Sequence, residues 1–187
     1  MNVLMNQNLR FKEFENTWKK QQLVDITEIQ TGKVYPHSFS EGKYYIMNGG
    51  VKPLAFFCDQ YNTNENTISI TKAGFSSGYI HYHCKKFWIG NNCFKLININ
   101  ENNINTLFLY YYLKQNEKQI QSLKRGTSIM NLLKKDLYNF LIFSPSLKEQ
   151  TKIATFLSLI DDKIKIEKEL CNNFNYMKQY FLNQMFI

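Results

Sequence analysis

The stretch "SPSLKEQTKIATFLSLIDDKI", residues 144–164, combines a helix-start signal with the beginning of a long apolar pattern. Glu149 follows Ser146 at the spacing of a capping box. In that motif the serine side chain accepts a hydrogen bond from a free backbone amide, and the glutamate reaches back to the serine backbone. No proline or glycine occurs after Ser146. The sequence therefore predicts one helix that starts here and continues to the last residue.

Apolar residues of this helix repeat with heptad spacing, and only Glu167 and Lys178 interrupt the two apolar columns. A helix of about 39 residues is roughly 58 Å long, so part of it should project from a small domain. A projecting apolar stripe needs a partner helix. We predict a dimerising coiled-coil seam at Ile153, Leu157, Ile160, Ile164, Cys171, Phe174 and Phe181. The alternative is a helix that folds back along its own domain as ordinary core.

The residues before this helix predict a β-rich centre followed by shorter helices, hence an α+β (mixed α/β) fold. Residues 66–74, "NTISITKAG", alternate apolar and polar side chains, as a half-buried strand does. Further strands are predicted in residues 43–50, 78–90, 91–99 and 140–145, in a mostly antiparallel or mixed sheet.

Helical patterns occupy the remaining segments. Residues 10–33 predict a short helix or a helix–strand corner that ends at Gly32. Residues 104–126 predict one helix that stops before Gly126, and residues 132–140 predict one or two helical turns with Asn131 as a possible N-cap. The predicted organisation is a globular domain over residues 1–145 and a long helix over residues 146–187.

A formal net charge of +8 and an isoelectric point near 9.2 favour an anionic partner. Nucleic acid comes first and an anionic membrane surface second, and the remaining alternative is a basic protein without such a partner. No apolar run approaches the roughly 20 residues that span a bilayer. The N-terminus lacks the pattern of a signal peptide. Cys58, Cys84, Cys93 and Cys171 form no C-x-x-C pair, which is typical of the reducing cytoplasm.

Catalytic motifs are missing from the sequence: there is no phosphate-binding loop, no G-x-G-x-x-G and no G-x-S-x-G. Glu41 and Lys43 supply only half of a nuclease metal site, so a small metal-dependent nuclease stays a minor alternative. His81, His83, Cys84 and Cys93 could be imagined as zinc ligands, but their spacing matches no zinc module. We expect no catalytic residue and no metal or cofactor bound by this chain.

Basic residues fall at the ends of predicted elements, among Tyr, His, Ser and Thr. Lysine and arginine neutralise phosphates, whereas hydroxyl and imidazole groups can also contact base edges. The predicted DNA contacts are Lys33, Lys72, Ser76, Ser77, Tyr79, His81, Lys85, Lys86, Lys124, Arg125, Thr127 and Ser128.

Three stretches resemble the specificity (S) subunit of type I restriction-modification enzymes. They are "LRFKEFENTWKKQQLVDITEIQTGK", "NTISITKAGFSSGYIHYHCKKFWIGNNCFKL" and "LKRGTSIMNLLKKDLYNFLIFSPSLKEQTKIATFLSLIDDKI". Together they cover nearly the whole chain. A small departure is Met130, where the family usually has proline.

The resemblance implies a non-catalytic DNA reader. Residues 1–145 would be a target recognition domain for one half of a bipartite target, and residues 146–187 the conserved helix that docks modification (methyltransferase) subunits. S-adenosylmethionine, ATP and magnesium would be bound by partner subunits, with the restriction/translocase subunit joined through the complex.

A full family member carries two recognition domains and two conserved helices, whereas this chain has one of each. The resemblance therefore implies a half-length form, and two copies paired through antiparallel helices would restore the twofold symmetry. Such a homodimer would read an inverted repeat. The alternative is a stand-alone dimeric DNA-binding module or regulator.

Overall fold

The structure is a computed structural model that describes residues 10–36, 41–126 and 130–186. Its elements confirm the predicted α+β class. In chain order they are β1 (Lys19–Gln22), β2 (Glu28–Thr31), β3 (Tyr44–Met47), β4 (Phe57–Cys58), β5 (Thr67–Thr71), β6 (Ile80–His83), β7 (Trp88–Ile89), β8 (Cys93–Ile97), α1 (Thr106–Gln115), α2 (Glu117–Ser122), α3 (Lys134–Tyr138), β9 (Leu141–Ser144) and α4 (Leu147–Met185).

The main sheet has four antiparallel strands in the order β2-β8-β5-β6. Side chains alternate across it, as the sequence predicts for β5. One face buries apolar residues such as Ile68, Ile70 and Phe94 in the large core beneath α1 and α4. The other face carries polar residues, including Ser69 and Lys95, which are paired in register.

A second sheet, β4-β3-β7, lies against the polar face of the main sheet. Its central strand β3 pairs antiparallel with β4 and parallel with β7. Met47, Phe87 and Ile89 form a small core with Cys93 of the main sheet, and all four side chains are fully buried. The two sheets therefore pack against each other from Cys93, opposite Thr71, to His83, which is opposite Thr67 and stacks on Phe87.

Of the two alternatives predicted for residues 10–33, the short helix is wrong, whereas the helix–strand corner is present as a 3-10 turn that leads into β2. This segment forms β1, a 3-10 turn at Leu23–Asp25, and β2. In β2 the side chain of Ile29 is buried and those of its two neighbours are exposed. Such alternation is typical of a strand and not of a helix. Gly32 does not end a helix; a Cβ at this position would collide with the backbone of Gly90, so the residue allows two loops to approach closely.

The helical segment after β8 is divided at Asn116. The Asn116 side-chain amide donates to the Tyr112 carbonyl at 2.8 Å, and this residue separates α1 from α2. Asn105 caps α1 by accepting a hydrogen bond from the Phe108 amide at 2.9 Å. The sequence suggested Asn131 as the N-cap of α3, but the N-cap lies two residues later, at Leu133, and Asn131 exchanges two backbone hydrogen bonds with Arg125 instead.

The helix α4 starts where the sequence predicts, with Ser146 as its N-cap and 39 residues in the helix. The Ser146 hydroxyl accepts from the Glu149 amide at 3.5 Å. The other half of the capping box does not form. The Glu149 carboxylate instead accepts two hydrogen bonds from Arg10, at 2.9 and 2.7 Å.

The first turns of α4 belong to the core of its own domain. Ile153 and Leu157 are 2% and 5% exposed and lie in the same apolar cluster as Phe108. Their assignment to an intermolecular seam is therefore wrong, because residues buried within the domain are inaccessible to a second chain. Gln150 strengthens this anchor by accepting from the Asn105 amide at 2.8 Å.

From Leu159 to Met185 the helix is exposed on all sides. At about 1.5 Å per residue this part is roughly 40 Å long. The remaining predicted seam residues all lie on it: Ile160, Ile164, Cys171, Phe174 and Phe181. The first turns of the helix thus pack on their own domain, as the core alternative predicts, and the remainder projects, as the coiled-coil prediction requires. None of the helices in the three described ranges combines the length and apolar character needed to cross a bilayer.

Candidate nucleic-acid interface

Several strands of the two sheets begin or end at one edge of the domain. The register pairs Thr31 at the end of β2 with Phe94, and Thr71 at the end of β5 with Cys93. The end of β3 lies beside the end of β7. We call the connecting segments at this edge the loop edge, defined as residues 32–33, 48–50, 72–79, 90–92, 124–126 and 130–132.

Backbone hydrogen bonds join these segments to one another. Lys72 donates its amide to the Asn92 carbonyl at 2.8 Å and accepts at its own carbonyl from the Leu132 amide at 2.8 Å. Lys33 donates to the Ile89 carbonyl at 3.1 Å. The structure therefore brings together three of the basic groups that the sequence proposed, at Lys33, Lys72 and the 124–125 pair.

Loop 72–79, the centre of the predicted contact set, is closed by its own hydrogen bonds. Gly78 donates to the Thr71 carbonyl at 2.7 Å, and Ser77 donates its amide to the Gly74 carbonyl at 3.0 Å. The Ser77 hydroxyl is fully buried and donates to the Lys72 carbonyl at 2.8 Å. The prediction that Ser77 contacts base edges is therefore wrong, and its role is to shape the loop. Ser76 is partly exposed in the same loop.

Gly78 sits where a side chain has no room. Its φ is +86°, and a Cβ would come within 3.0 Å of the Gln121 Cα. The left-handed conformation and the close approach both select glycine. This glycine fixes loop 72–79 against α2.

The cations of segment 124–125 are partly committed to contacts within the protein. The Lys124 ammonium donates to the Phe75 carbonyl at 3.4 Å. Arg125 donates to Asp136 at 2.8 Å, although 62% of the arginine side chain is exposed. Lys124 still contributes positive charge to the loop edge, whereas Asp136 offsets the charge of Arg125. Thr127 and Ser128 lie outside the described residues.

A small polar cavity of about 230 Å³ borders the loop edge and contains two lysines, Lys33 and Lys95. The Lys95 ammonium donates to the Asn62 carbonyl at 2.9 Å and to the Thr63 hydroxyl at 3.3 Å. Burial, followed by the nearby charge of Lys33, lowers the pKa of Lys95. Among the residues that the structure describes, no carboxylate lines this cavity, so an anion would relieve the repulsion between the two ammonium groups.

Sequence reasoning missed Lys95, although the signal was present. In "CFKLI" the lysine alternates with Phe94 and Leu96, so it must lie on the opposite face of the strand from the main core. That face is the one that meets the second sheet.

Tyr79 and His81 are less available than predicted. The Lys114 ammonium lies 3.7 Å from the Tyr79 ring centroid, and the Tyr79 and His81 rings are 4.6 Å apart. His81 Nε2 lies 3.2 Å from the Gly50 carbonyl oxygen. Burial lowers the pKa of His81 to about 4, so the imidazole is neutral at physiological pH. A direct base contact through Nε2 is therefore excluded while this hydrogen bond persists.

His83 is a structural residue between the sheets. Its ring nitrogens lie 2.7 Å from the Ser69 hydroxyl and 2.9 Å from the Tyr45 hydroxyl. Burial lowers its pKa to about 3. Within the ranges that the structure describes, no three His, Cys, Asp or Glu side chains are placed to hold a metal ion. The zinc alternative loses its geometric basis, since His83 is engaged and Cys84 is exposed.

Lys85 and Lys86 lie at the other end of the main sheet. They follow His83, which pairs with Thr67 at the start of β5, whereas the loop edge lies at the end of β5. The Lys86 ammonium is 4.8 Å from the Tyr61 ring centroid. The structure therefore divides the predicted contact set into two groups separated by the length of the strands.

Comparison with known proteins decides the family. Residues 15–175 match the family described as Type I restriction modification DNA specificity domain. The chain belongs to this family. A Mycoplasma pneumoniae protein named as type I specificity subunit S.MpnORF638P is 31% identical over 91% of this chain and 46% of its own length. A Mycoplasma genitalium protein named as S.MgeORF438P is 32% identical over 79% of this chain and 39% of its own length.

The fold comparison agrees with the sequence comparison. The crystal structure of the type I restriction-modification S subunit from M. genitalium superimposes with a TM-score of 0.80, at 28% sequence identity. The match covers 94% of this chain and 47% of that structure. The chain therefore spans about half the length of the specificity subunits it matches, and the resemblance to their family is confirmed.

Proposed function

We propose that this chain is the non-catalytic DNA-recognition subunit of a type I restriction-modification system and reads one half of a bipartite target. The observation that carries the proposal is the loop edge, where Lys33, Lys72 and Lys124 are joined on one side of a specificity-family fold. Basic side chains there would neutralise phosphates, and the loops between them would meet the bases.

DNA binding by the purified full chain tests this proposal. We expect it to bind a pool of short duplexes with a randomised centre, with an affinity that falls as salt rises. Repeated selection from the pool should enrich one short motif. Enrichment of no motif would contradict sequence-specific recognition, and cleavage of the duplexes with magnesium, lost on changing Glu41, would favour the nuclease alternative.

We propose further that α4 joins two copies of the chain and docks methyltransferase subunits. Two neighbouring apolar stripes on α4 support these two roles, one stripe for each. The first is the predicted seam, of which Ile160 and Ile164 are 40% and 45% exposed. The second consists of Leu159, Ile166, Leu170 and Met177. Leu159 precedes Ile160 by one residue, a step of about 100° around the helix.

Together the stripes form an apolar face wider than a two-helix seam requires. A second copy paired in antiparallel orientation would cover the first stripe and leave the second one accessible. The second stripe is then the docking surface for a methyltransferase subunit.

A pair of matched substitutions separates the two roles. Ile164→Asp should convert a dimer into a monomer, because it places a charge in the seam. Ile166→Asp, only two residues away, should leave the dimer intact and abolish co-purification with the methyltransferase subunit. Sedimentation at several protein concentrations measures the first effect and affinity co-purification the second.

A monomeric mass for the unsubstituted chain at every concentration would refute dimerisation through α4. A stable dimer that never retains a methyltransferase subunit would instead favour the stand-alone DNA-binding module.

A further inference from the structure

The most exposed large apolar side chain described in the globular part of the molecule is Phe75, at the tip of loop 72–79 and 99% accessible. Exposure of an aromatic ring to water is unfavourable, and this ring contributes no buried apolar surface to the folded domain. A side chain left in this position has its apolar surface available for a partner.

The loop holds this ring outward and restrains it on both sides. Gly74 donates its amide to the Met130 carbonyl at 3.0 Å, and the Phe75 carbonyl accepts from the Lys124 ammonium at 3.4 Å. Behind the tip, Tyr79 donates to the Ser76 carbonyl at 2.9 Å. The backbone around Phe75 is therefore fixed before any partner arrives, which reduces the entropy lost on binding.

The surroundings of Phe75 distinguish its partner from that of α4. On the helix, exposed apolar residues form continuous stripes, as a protein partner requires. Around Phe75 the loop contains Lys72, Ser76 and no acidic residue, and Lys124 and Arg125 lie alongside. An apolar ring flanked by cations and hydroxyls is complementary to nucleic acid, in which stacked flat bases are flanked by phosphate backbones.

We infer that Phe75 is an apolar wedge that packs against a base step of double-stranded DNA when the loop edge meets the duplex. This inference rests on the proposed function, because it requires that the loop edge binds DNA. Lys72 and Lys124 would hold the flanking phosphates while the ring contacts the bases.

Duplex binding by Phe75 variants of the full chain tests the inference. Phe75→Ala should weaken binding to the randomised duplex pool by roughly 5- to 150-fold, if the contact is as strong as base–aromatic stacking in single strands. The dependence of affinity on salt should stay unchanged, because no phosphate contact is removed. Phe75→Trp should retain most of the affinity.

Phe56→Ala is the matched control. Phe56 is 52% exposed and lies outside the loop edge as defined, in the segment that leads into β4. We expect this variant to bind like the unsubstituted chain. Equal affinity of Phe75→Ala and the unsubstituted chain would overturn the inference while leaving DNA binding intact. Absence of any duplex binding by the unsubstituted chain would overturn the proposed function as well.

Photo-crosslinking identifies the partner of the ring directly. With p-benzoylphenylalanine in place of Phe75, irradiation of the chain with its methyltransferase subunit and DNA should yield an adduct to the DNA. An adduct to the methyltransferase subunit or to a second copy of the chain, without one to DNA, would overturn the inference.

Discussion

The ion pair between Arg10 and Glu149 fastens the start of α4 to the N-terminal segment, and its removal gives the sharpest test of the helix anchor. Two hydrogen bonds of 2.9 and 2.7 Å join the side chains. The Glu149 side chain is 1% exposed and that of Arg10 is 19% exposed. Arg10→Met leaves a carboxylate buried without a partner, a change that typically costs about 3–5 kcal/mol. Because Arg10 retains some contact with water, we expect about 2–3 kcal/mol.

A second ion pair ties the same two segments together and serves as the control. Lys152 contacts Glu13, but these side chains are 46% and 51% exposed. Lys152→Met should therefore lower the free energy of unfolding far less than Arg10→Met does, because water already solvates both charges. The assay is urea unfolding at neutral pH and one fixed protein concentration, followed by circular dichroism.

The double variant Arg10→Met with Glu149→Met distinguishes a lost attraction from a stranded charge. It should be more stable than Arg10→Met alone, because no ionised group remains buried. Equal destabilisation by Arg10→Met and Lys152→Met would refute the anchor. A double variant less stable than Arg10→Met would show that the cost does not arise from burial of the Glu149 carboxylate.

Two further predictions concern the sheets. The pKa of His83 is lowered to about 3 in the folded protein, below its ordinary value near 6.5, so only the unfolded chain takes up this proton between those values. The free energy of unfolding should fall as the pH drops below 6.5, and this residue should contribute about 1.4 kcal/mol per pH unit. Urea unfolding of His83→Gln should show a shallower fall with pH. The same dependence of stability on pH in both proteins would contradict the buried neutral imidazole. For the cavity, Lys95→Gln and Lys33→Gln should each reduce the slope of log affinity for the duplex pool against log salt by about one. Lys85→Gln, at the other end of the sheet, should leave that slope unchanged. A smaller slope for Lys85→Gln, with no change for Lys95→Gln or Lys33→Gln, would place the phosphate contacts at the end of the sheet opposite the loop edge.

Local signals predicted the parts of the fold that local chemistry controls. Ser146 marks the start of α4 because its side chain caps the first turn, and the alternation in residues 67–71 gives β5. Longer-range competition explains the errors. Glu149 has the spacing of a capping box, but a distant arginine binds its carboxylate instead.

The heptad pattern identifies an apolar stripe but not the surface that covers it. Ile153 and Ile160 occupy the same heptad column, yet the domain buries the first and leaves the second exposed. Only the position of α1 beside the first turns of α4 separates them.

The candidate interface was predictable in composition but not in arrangement. Lysines at strand ends indicated contacts with nucleic acid, but the register of the main sheet decides which of them share an edge. It places Lys33 and Lys72 together and Lys85 apart. The burial of the Ser77 hydroxyl depends on the path of one loop, which no pattern in the sequence specifies.

Sequencing of the methylated sites in a host that carries this chain with the proposed methyltransferase subunit tests the central claim most directly. Two identical readers joined through α4 would recognise two identical half-sites in inverted orientation. We expect one methylated motif of this form, with a gap of constant length, and its loss on Ile164→Asp. Two different half-sites, or methylation that does not depend on this chain, would contradict the account.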